Sequence, residues 1–243
     1  MHRRRQHAPA VGVQDVLHGI GLARTVVHAS IVPLRLESDV VSPGRNDQTA
    51  QSILSAAVSS IGSVGISRTT MENVANLAGI GVATVYRRFN RKDNLVQQAI
   101  RYEAEQLLKT VEQQVQGLGS VEEALTEGFV AFLREAHRRP LIRGIGDGNV
   151  VVGLPMIAQG GGMVIEIGRE FAANIIAGFQ SSGDLPEFDP KPIAEIFARV
   201  GHSVLLAPDG LISFDDPYTA GRVVRECLMP AIAAQAAAAR GDA

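Results

Sequence analysis

Four cationic side chains and a tyrosine lie within seven residues of this chain, from Tyr86 to Lys92, in the order Tyr-Arg-Arg-Phe-Asn-Arg-Lys. Such a cluster suits a polyanion, because Lys and Arg contacts to phosphate supply much of the affinity for nucleic acid. An arginine on a helix can also form two parallel hydrogen bonds with the edge of a guanine. The pattern favours DNA binding, although the same cations could form a solvated face and Tyr86 could belong to the core.

The turn before this cluster determines how its side chains are presented. Gly79 and Gly81 allow a tight turn after a short amphipathic segment, and the residues from Val82 to Phe89 then follow a helical period. The period directs Val82, Val85 and Phe89 toward neighbouring helices and leaves four side chains on or beside the outer face: Thr84, Tyr86, Arg87 and Arg88. A helix, a turn and a second, basic helix form the arrangement that places a helix in the DNA major groove.

Two further helices are predicted around this pair, and its first member has a predicted cap. Asp47 can cap a first helix that ends near Gly62, where its apolar residues recur every three or four positions. The segment Thr69-Thr-Met-Glu72 has the pattern of a capping box and opens the short helix before the turn. Asn90 can cap a long helix that runs to about Gln116, which is long enough to connect two domains.

The rest of the chain is also predicted to be helical. Ser120 caps one helix, and three more are expected at about 163–180, 190–206 and 217–238. The glycine-rich residues 140–162 predict a short helix with flexible connections, and no strand or Lys-Ser/Thr supports a phosphate loop there. Aromatic residues make up only 5% of the sequence and Trp is absent, so an all-α class is favoured.

Composition limits the cellular setting. The single cysteine, Cys227, rules out an internal disulfide framework and suits a reducing cytoplasm. No run of about 18 apolar residues predicts a membrane span, and Arg3-Arg-Arg5 is not followed by the apolar stretch of a signal peptide. The six histidines do not form a metal set, and His202 is expected to be a hydrogen-bonded core or interface residue. No cofactor and no metal are expected.

Charge is distributed unevenly along the chain. Residues 1–46 and residues 47–102 each carry six Lys or Arg against three Asp or Glu, whereas residues 103–243 carry eleven against nineteen. A basic front and an acidic back indicate that only the first part meets a polyanion, although an imbalance of three charges can arise by chance. Residues 1–46 contain three prolines and no sustained period, so they are expected to be a disordered basic extension, either a DNA-contacting arm or an addition without a role.

Residues 47–95 resemble the DNA-binding domain of the TetR family of bacterial transcriptional regulators. The resemblance rests on three segments in order, Thr69-Thr-Met-Glu-Asn-Val-Ala75, Ala78-Gly-Ile-Gly-Val-Ala-Thr-Val-Tyr-Arg-Arg-Phe89 and Arg91-Lys-Asp-Asn-Leu95. It covers about a fifth of the chain. It implies a three-helix helix-turn-helix domain over 47–95, joined by a long helix to an α-helical effector-binding and dimerisation domain over 96–243.

The resemblance also implies roles for particular residues. Tyr86 corresponds to a tyrosine that contacts the DNA backbone, and Lys92 to a lysine that usually binds phosphate. Arg87 is the best candidate for recognition of guanine, at about 1–3 kcal/mol of discrimination. The DNA-contacting set is Thr70, Val82, Ala83, Thr84, Tyr86, Arg87, Arg88 and Lys92. Gly81 departs from the family, which commonly has Ser at this cap, so one polar contact is expected to be lost.

In the family, two recognition helices read the two half-sites of a near-palindrome, which implies a homodimer. The last two helices would supply its interface through Ile193, Ile196, Phe197, Val200, Val204, Val223, Val224, Cys227 and Leu228. An apolar effector pocket would be lined by Phe129, Phe132, Met156, Met163, Ile167 and Phe171, although these residues would also make a satisfactory core without a cavity.

The sequence thus predicts a cytoplasmic, DNA-binding transcriptional regulator rather than an enzyme, with repression through release by a small apolar ligand as the expected mode. Two alternatives remain open at this point. One is a DNA-binding regulator without a small-molecule effector, controlled by a protein partner. The other is an all-α enzyme, which would need a convergent polar site within residues 120–240.

Overall fold

Every regular element in the described part of the chain is helical. The computed structural model describes residues 47–139, 141–142, 154–207 and 209–241, with backbone alone for 154–161. In chain order the helices are α1 Gln48–Arg68, α2 Met71–Ala78, α3 Val82–Phe89, α4 Lys92–Val115, α5 Val121–Arg138, α6 Leu154–Ser181, α7 Lys191–Leu206, α8 Pro217–Val223, a π-helical turn Val224–Leu228, and α9 Met229–Arg240. The predicted all-α class is confirmed. The predictions for residues 1–46, and for most of the glycine-rich stretch, lie outside the described residues.

Helix α1 begins where the sequence predicts but continues further. The carboxylate of Asp47 accepts a hydrogen bond of 3.1 Å from the backbone amide of Ala50. Gly62 does not end the helix; the kink falls at Gly65, whose φ of 80° and ψ of 165° belong to a region that glycine alone adopts readily. A single glycine in an apolar helix is tolerated when tertiary packing holds the segment, which explains the longer helix.

The apolarity of α1 has a structural explanation. This helix is long and apolar enough to span a membrane. Among the described helices, it is the one that meets these two criteria. Its apolar side chains, including Ile53, Leu54 and Ile61, are buried against the other helices of the first core. Core helices often pass such a test, so the composition of α1 does not indicate a membrane span.

The cap of α2 differs by one position from the predicted capping box. The hydroxyl of Thr70, not Thr69, accepts the hydrogen bond of 3.1 Å from the amide of Asn73. Thr69 is buried instead, with its hydroxyl 3.1 Å from that of Ser60. Glu72 is therefore the second residue of the helix rather than the third, and its carboxylate also accepts a hydrogen bond from the hydroxyl of Tyr86.

Helix α3 has the predicted bounds. Gly79 ends α2 in the left-handed conformation with a φ of 66°, and Gly81 precedes α3 without a side-chain cap. Val85 and Phe89 are buried, but Val82 is 40% exposed, so the expectation that it packs inward is wrong. Val82 occupies the first turn of α3, beyond the reach of the helices that cover the rest of its inner face.

The start of α4 also differs from the prediction. Asn90 ends α3 with a φ of 60° and does not cap the next helix; Arg91 takes that position without a side-chain hydrogen bond. The amide group of Asn94 donates instead to the carbonyl of Phe89 at 3.0 Å. The short connection therefore requires a left-handed residue, which Asn tolerates better than most side chains.

Helix α4 connects two hydrophobic cores. Its first half contributes Leu95, Val96 and Ala99 to a core formed with α1, α2 and α3. Its second half contributes Leu107, Leu108, Val111 and Val115 to a larger core formed with α5 to α9. At 24 residues the helix is about 36 Å long, so a displacement at one end is carried to the other.

Close packing and one irregularity mark the C-terminal helices. A Cβ atom on Gly168 of α6 would lie 3.1 Å from the Cβ of Ala198 on α7, so glycine permits the close approach of these helices.

The helix predicted over 217–238 is interrupted by the π-helical turn at Val224–Leu228. Pro230 follows directly and has no amide donor, which accounts for the altered hydrogen bonding.

Candidate nucleic-acid interface and interior cavity

One face of α3 is open to solvent. Val82, Ala83, Tyr86 and Arg87 are exposed and lie on the same side of the helix because they are one, four and five residues apart. Arg88 is exposed beside them, and Thr84 is half-buried. Tyr86 is 44% exposed, which excludes the alternative that it is a core residue. The geometry offers a short helix with apolar, hydroxyl and cationic groups on one outward face.

Tyr86 and Arg88 of α3, and Lys92 beside it, have partners within the chain. The hydroxyl of Tyr86 donates to the carboxylate of Glu72 at 3.1 Å, and Arg88 forms an ion pair with Asp47. The ammonium of Lys92 donates to the carbonyl of Ser67 near the end of α1, at 2.9 Å. These contacts orient α3 and its flank against α1 and α2, and each must be exchanged or shared when a phosphate is bound.

The acidic partners respond electrostatically to these contacts. The amide of Ala50, and then Arg88, lower the pKa of Asp47. The backbone amide of Glu72, followed by the Tyr86 hydroxyl, lowers the pKa of Glu72, while the same contact raises the pKa of Tyr86. Both carboxylates are therefore charged at neutral pH and lie beside the surface that would approach DNA.

Other groups on this surface are engaged differently. The side chains of Arg87 and Arg91 are exposed and have no hydrogen bond or ion pair within the described ranges. They can meet phosphate or base edges without breaking a contact. The hydroxyl of Thr70 is already used to cap α2, so any contact it makes with DNA must share that oxygen.

A cavity of about 150 Å³ lies between the two cores. Its wall includes Ile61 and Ile66 from α1, Ile100 from α4, and side chains from α5, α6 and α7. Of the predicted pocket residues, the structure brings four together on this wall: Phe129, Phe132, Ile167 and Phe171. Met163 is not on the wall and packs, partly buried, against the larger core; the side chain of Met156 lies outside the described residues.

Two polar side chains interrupt this apolar wall. Glu103 of α4 is only 7% exposed, and its Oε2 forms an ion pair with Nη1 of Arg139 at 3.0 Å. His202 of α7 is half-buried and has no hydrogen-bond partner in the described part of the chain, contrary to the expectation that it would be hydrogen-bonded. Burial, and then the charge of Arg199, lower the pKa of His202, so its neutral form is favoured.

Comparison with known proteins agrees with this geometry. Residues 53–99, which span α1 to the first part of α4, match the family model for bacterial regulatory proteins of the tetR family. The TetR-family repressor AlkX from Dietzia sp. strain DQ12-45-1b, implicated in the biodegradation of n-alkanes, is 25% identical. Its structure matches with a TM-score of 0.60 over 81% of this chain and 98% of AlkX.

The chain thus carries a DNA-binding segment of the TetR type within a fold like that of TetR-family regulators.

Two further structures share the fold of this regulator. The transcriptional repressor QsdR of R. erythropolis is 21% identical, with a TM-score of 0.54 over 76% of this chain and 96% of QsdR. The fatty acid degradation regulator FadR from Bacillus halodurans is 16% identical, with a TM-score of 0.54 over 74% of this chain and 96% of FadR. No curated protein matches the chain significantly.

The residues predicted for the dimer interface divide into two groups in this regulator. Five are buried within the chain itself: Ile193, Phe197, Val204, Val224 and Leu228. Val200 and Val223 are half-buried, whereas Ile196 and Cys227 are exposed. An apolar stripe on a helix that covers its own core faces that core, so the buried five are not available to a partner. The surface left for a partner includes Ile196 and, at the end of the same helix, Leu206.

Several residues at both sites cannot be recognised from local sequence patterns. Asp47 and Glu72 fit helix-capping patterns, but no local signal indicates that they also bind Arg88 and Tyr86. Glu103 lies within a charged stretch of α4 that resembles a solvated face. Its burial depends on Arg139, which is 36 positions away and becomes adjacent only in the folded chain.

Proposed function

We propose that this regulator is a repressor that binds a near-palindromic operator as a homodimer and leaves it when a small apolar ligand fills the cavity. The observation that carries the proposal is the composition of the cavity wall. Ile61 and Ile66 belong to α1 of the DNA-binding domain, and Ile100 belongs to α4, whereas the opposite wall belongs to the C-terminal helices. Repression is supported by the fact that AlkX and QsdR are described as repressors.

The exposed face of α3 supports sequence-specific binding. Arg87 has no partner to give up among the described residues and is suited to bidentate contact with guanine. Val82 and Ala83 can contact thymine methyl groups, and the hydroxyls of Thr84 and Tyr86 can bind phosphate oxygens. Arg88 and Lys92 would add charge-assisted phosphate contacts after exchanging their present partners.

Two copies of α3 are needed to read a near-palindrome, with half-sites about 34–36 Å apart. The exposed Ile196 and Leu206 on α7 are suited to contact with a second copy. We expect Ile196→Glu to give a monomer in light scattering after gel filtration, because a buried unpaired carboxylate would oppose association. A wild-type protein that is monomeric at micromolar concentration would contradict the dimer.

Release follows from the connection between the cavity and α4. A ligand that separates α1 and α4 from the C-terminal helices favours a different placement of α3 in each protomer. The ligand can shift the equilibrium only by the difference between its affinities for the two arrangements. Couplings of this kind are typically about 1–3 kcal/mol, which corresponds to a 5- to 150-fold loss of operator affinity.

The proposal is tested by fluorescence anisotropy with an operator selected from random DNA. Arg87→Ala combined with Lys92→Ala should reduce affinity at least about ten-fold and flatten the salt dependence by about 0.9 per phosphate lost. The matched control is Lys109→Ala with Lys191→Ala, which removes the same charge from exposed positions outside the DNA-binding surface. Equal loss in both pairs would show that net charge, not the face of α3, binds DNA.

A further inference from the structure

On the basis of the ligand-controlled function proposed above, we infer that the cavity selects a small neutral molecule with one hydrogen-bonding group, such as a medium-chain alcohol or ketone, and rejects carboxylates. Three observations carry this inference: the volume of the cavity, the carboxylate of Glu103 on its wall, and the imidazole of His202, which has no hydrogen-bond partner among the described residues.

The volume limits the size of the ligand. A cavity of about 150 Å³ is comparable to apolar cavities that hold one benzene molecule. On that scale a ligand of about six to eight non-hydrogen atoms is expected. Phe129 and Phe132 line the same space and leave little room beside Gly201.

Glu103 determines which charge the ligand can carry. Its carboxylate is on the cavity wall, whereas its partner Arg139 is not among the lining residues. Arg139 also donates to the hydroxyl of Thr110 at 3.4 Å, so its guanidinium is held behind Glu103. An anionic ligand would meet the carboxylate before it could reach the guanidinium, and like charges brought together away from water strongly oppose binding.

His202 supplies the hydrogen-bonding group. It lines the same cavity, and its imidazole has no hydrogen-bond partner in the described residues. A neutral imidazole has one donor and one acceptor nitrogen, which suits a hydroxyl or a carbonyl group. The remaining wall, as far as the described residues form it, is apolar, so the rest of the ligand is expected to be hydrocarbon.

Matched six-carbon probes test the inference by calorimetric titration of the full chain without DNA at pH 8. We expect 1-hexanol to bind at least about ten-fold more tightly than hexanoate. We expect n-hexylamine, as the ammonium, to bind more tightly than hexanoate, because Glu103 attracts a cation. These comparisons use only the wild-type protein, so they decide the charge preference even where a variant folds poorly.

Two variants assign the preference to particular residues. Glu103→Gln should reduce the ratio of hexanol to hexanoate affinity to near one or reverse it, because Arg139 then has no compensating charge; Glu105→Gln, on the same helix but outside the wall, is the control. His202→Leu should weaken hexanol toward the affinity of n-hexane and leave n-hexane unchanged, whereas His137→Leu should change neither.

Each outcome distinguishes the two proposals. Hexanoate binding as tight as hexanol, a preference that survives Glu103→Gln, or no binding of any probe would overturn the inference. Hexanol that binds as expected but does not release the operator would leave the ligand class intact and contradict the proposed mechanism of release.

Discussion

The ion pair between Asp47 and Arg88 engages one cation of the proposed DNA-binding surface. Asp47→Ser should release Arg88 while preserving the start of α1, because Ser ranks with Asp as an N-cap. The side chains of the pair are 32% and 29% exposed, and partly exposed pairs stabilise folding little. The midpoint of thermal unfolding should therefore change little, whereas DNA binding should become tighter.

The salt dependence gives the magnitude. Each additional phosphate contact steepens the plot of log affinity against log salt concentration by about 0.9. One freed Arg88 per protomer adds two contacts in a dimer and steepens the slope by about 1.8. Between 50 and 200 mM salt, the affinity of the variant should thus fall about twelve-fold more than that of the wild type.

Anisotropy titrations at four or more salt concentrations measure this slope. The double variant Asp47→Ser with Arg88→Gln is the decisive control, because it lacks the cation that the single change releases. Its slope should be no steeper than that of the wild type. A single variant whose slope and affinity both equal those of the wild type would refute the view that Asp47 withholds Arg88 from DNA.

Three other predictions concern packing, capping and titration. Gly128→Ala should stabilise the protein by about 0.5–1 kcal/mol in urea unfolding, because the added methyl makes ordinary contacts in mid-helix, whereas Gly168→Ala should destabilise it by about 1–3 kcal/mol through overpacking. If both substitutions changed the free energy of unfolding in the same direction, the packing argument would be contradicted. Gly81→Ser should stabilise by a few tenths of a kcal/mol and tighten operator binding, since the cap has free space and no side-chain acceptor. Glu72→Gln should lower the pKa of Tyr86 toward its ordinary value of 10.0, measured by ultraviolet titration, because the carboxylate disfavours the tyrosinate; an unchanged pKa would exclude the Glu72 contact as the cause.

Local chemistry explains which parts of the fold were predictable. The bounds of α3 follow from Gly79 and Gly81, because a left-handed turn can be recognised from the residue type alone. The caps at Asp47 and Ser120 were predicted for the same reason, since a side-chain acceptor three residues before an amide is a local feature. Errors of one residue, as at Thr70, arose where two candidate caps were adjacent and burial chose between them.

The C-terminal helices show the limit of periodicity. Apolar stripes on α7 and on the last helices were recognised, but a stripe shows only that one face is buried. It does not show whether the covering surface belongs to the same chain or to a partner. Ile193, Phe197 and Val224 are buried within a single chain, so packing inside the chain accounts for their part of the stripe, and the dimer interface stays a prediction.

The sequence by itself determined the all-α class, the helix-turn-helix and the cationic face of α3, because each depends on side-chain type and spacing within about twenty residues. Tertiary structure alone decided which cations are free. Arg88 and Lys92 are engaged by residues 41 and 25 positions away, whereas Arg87 has no such partner in the part of the chain that the structure describes. It also decided that Glu103 and His202 share an apolar cavity that extends to α1. These properties depend on the separation of groups in space, which no local pattern of residues specifies.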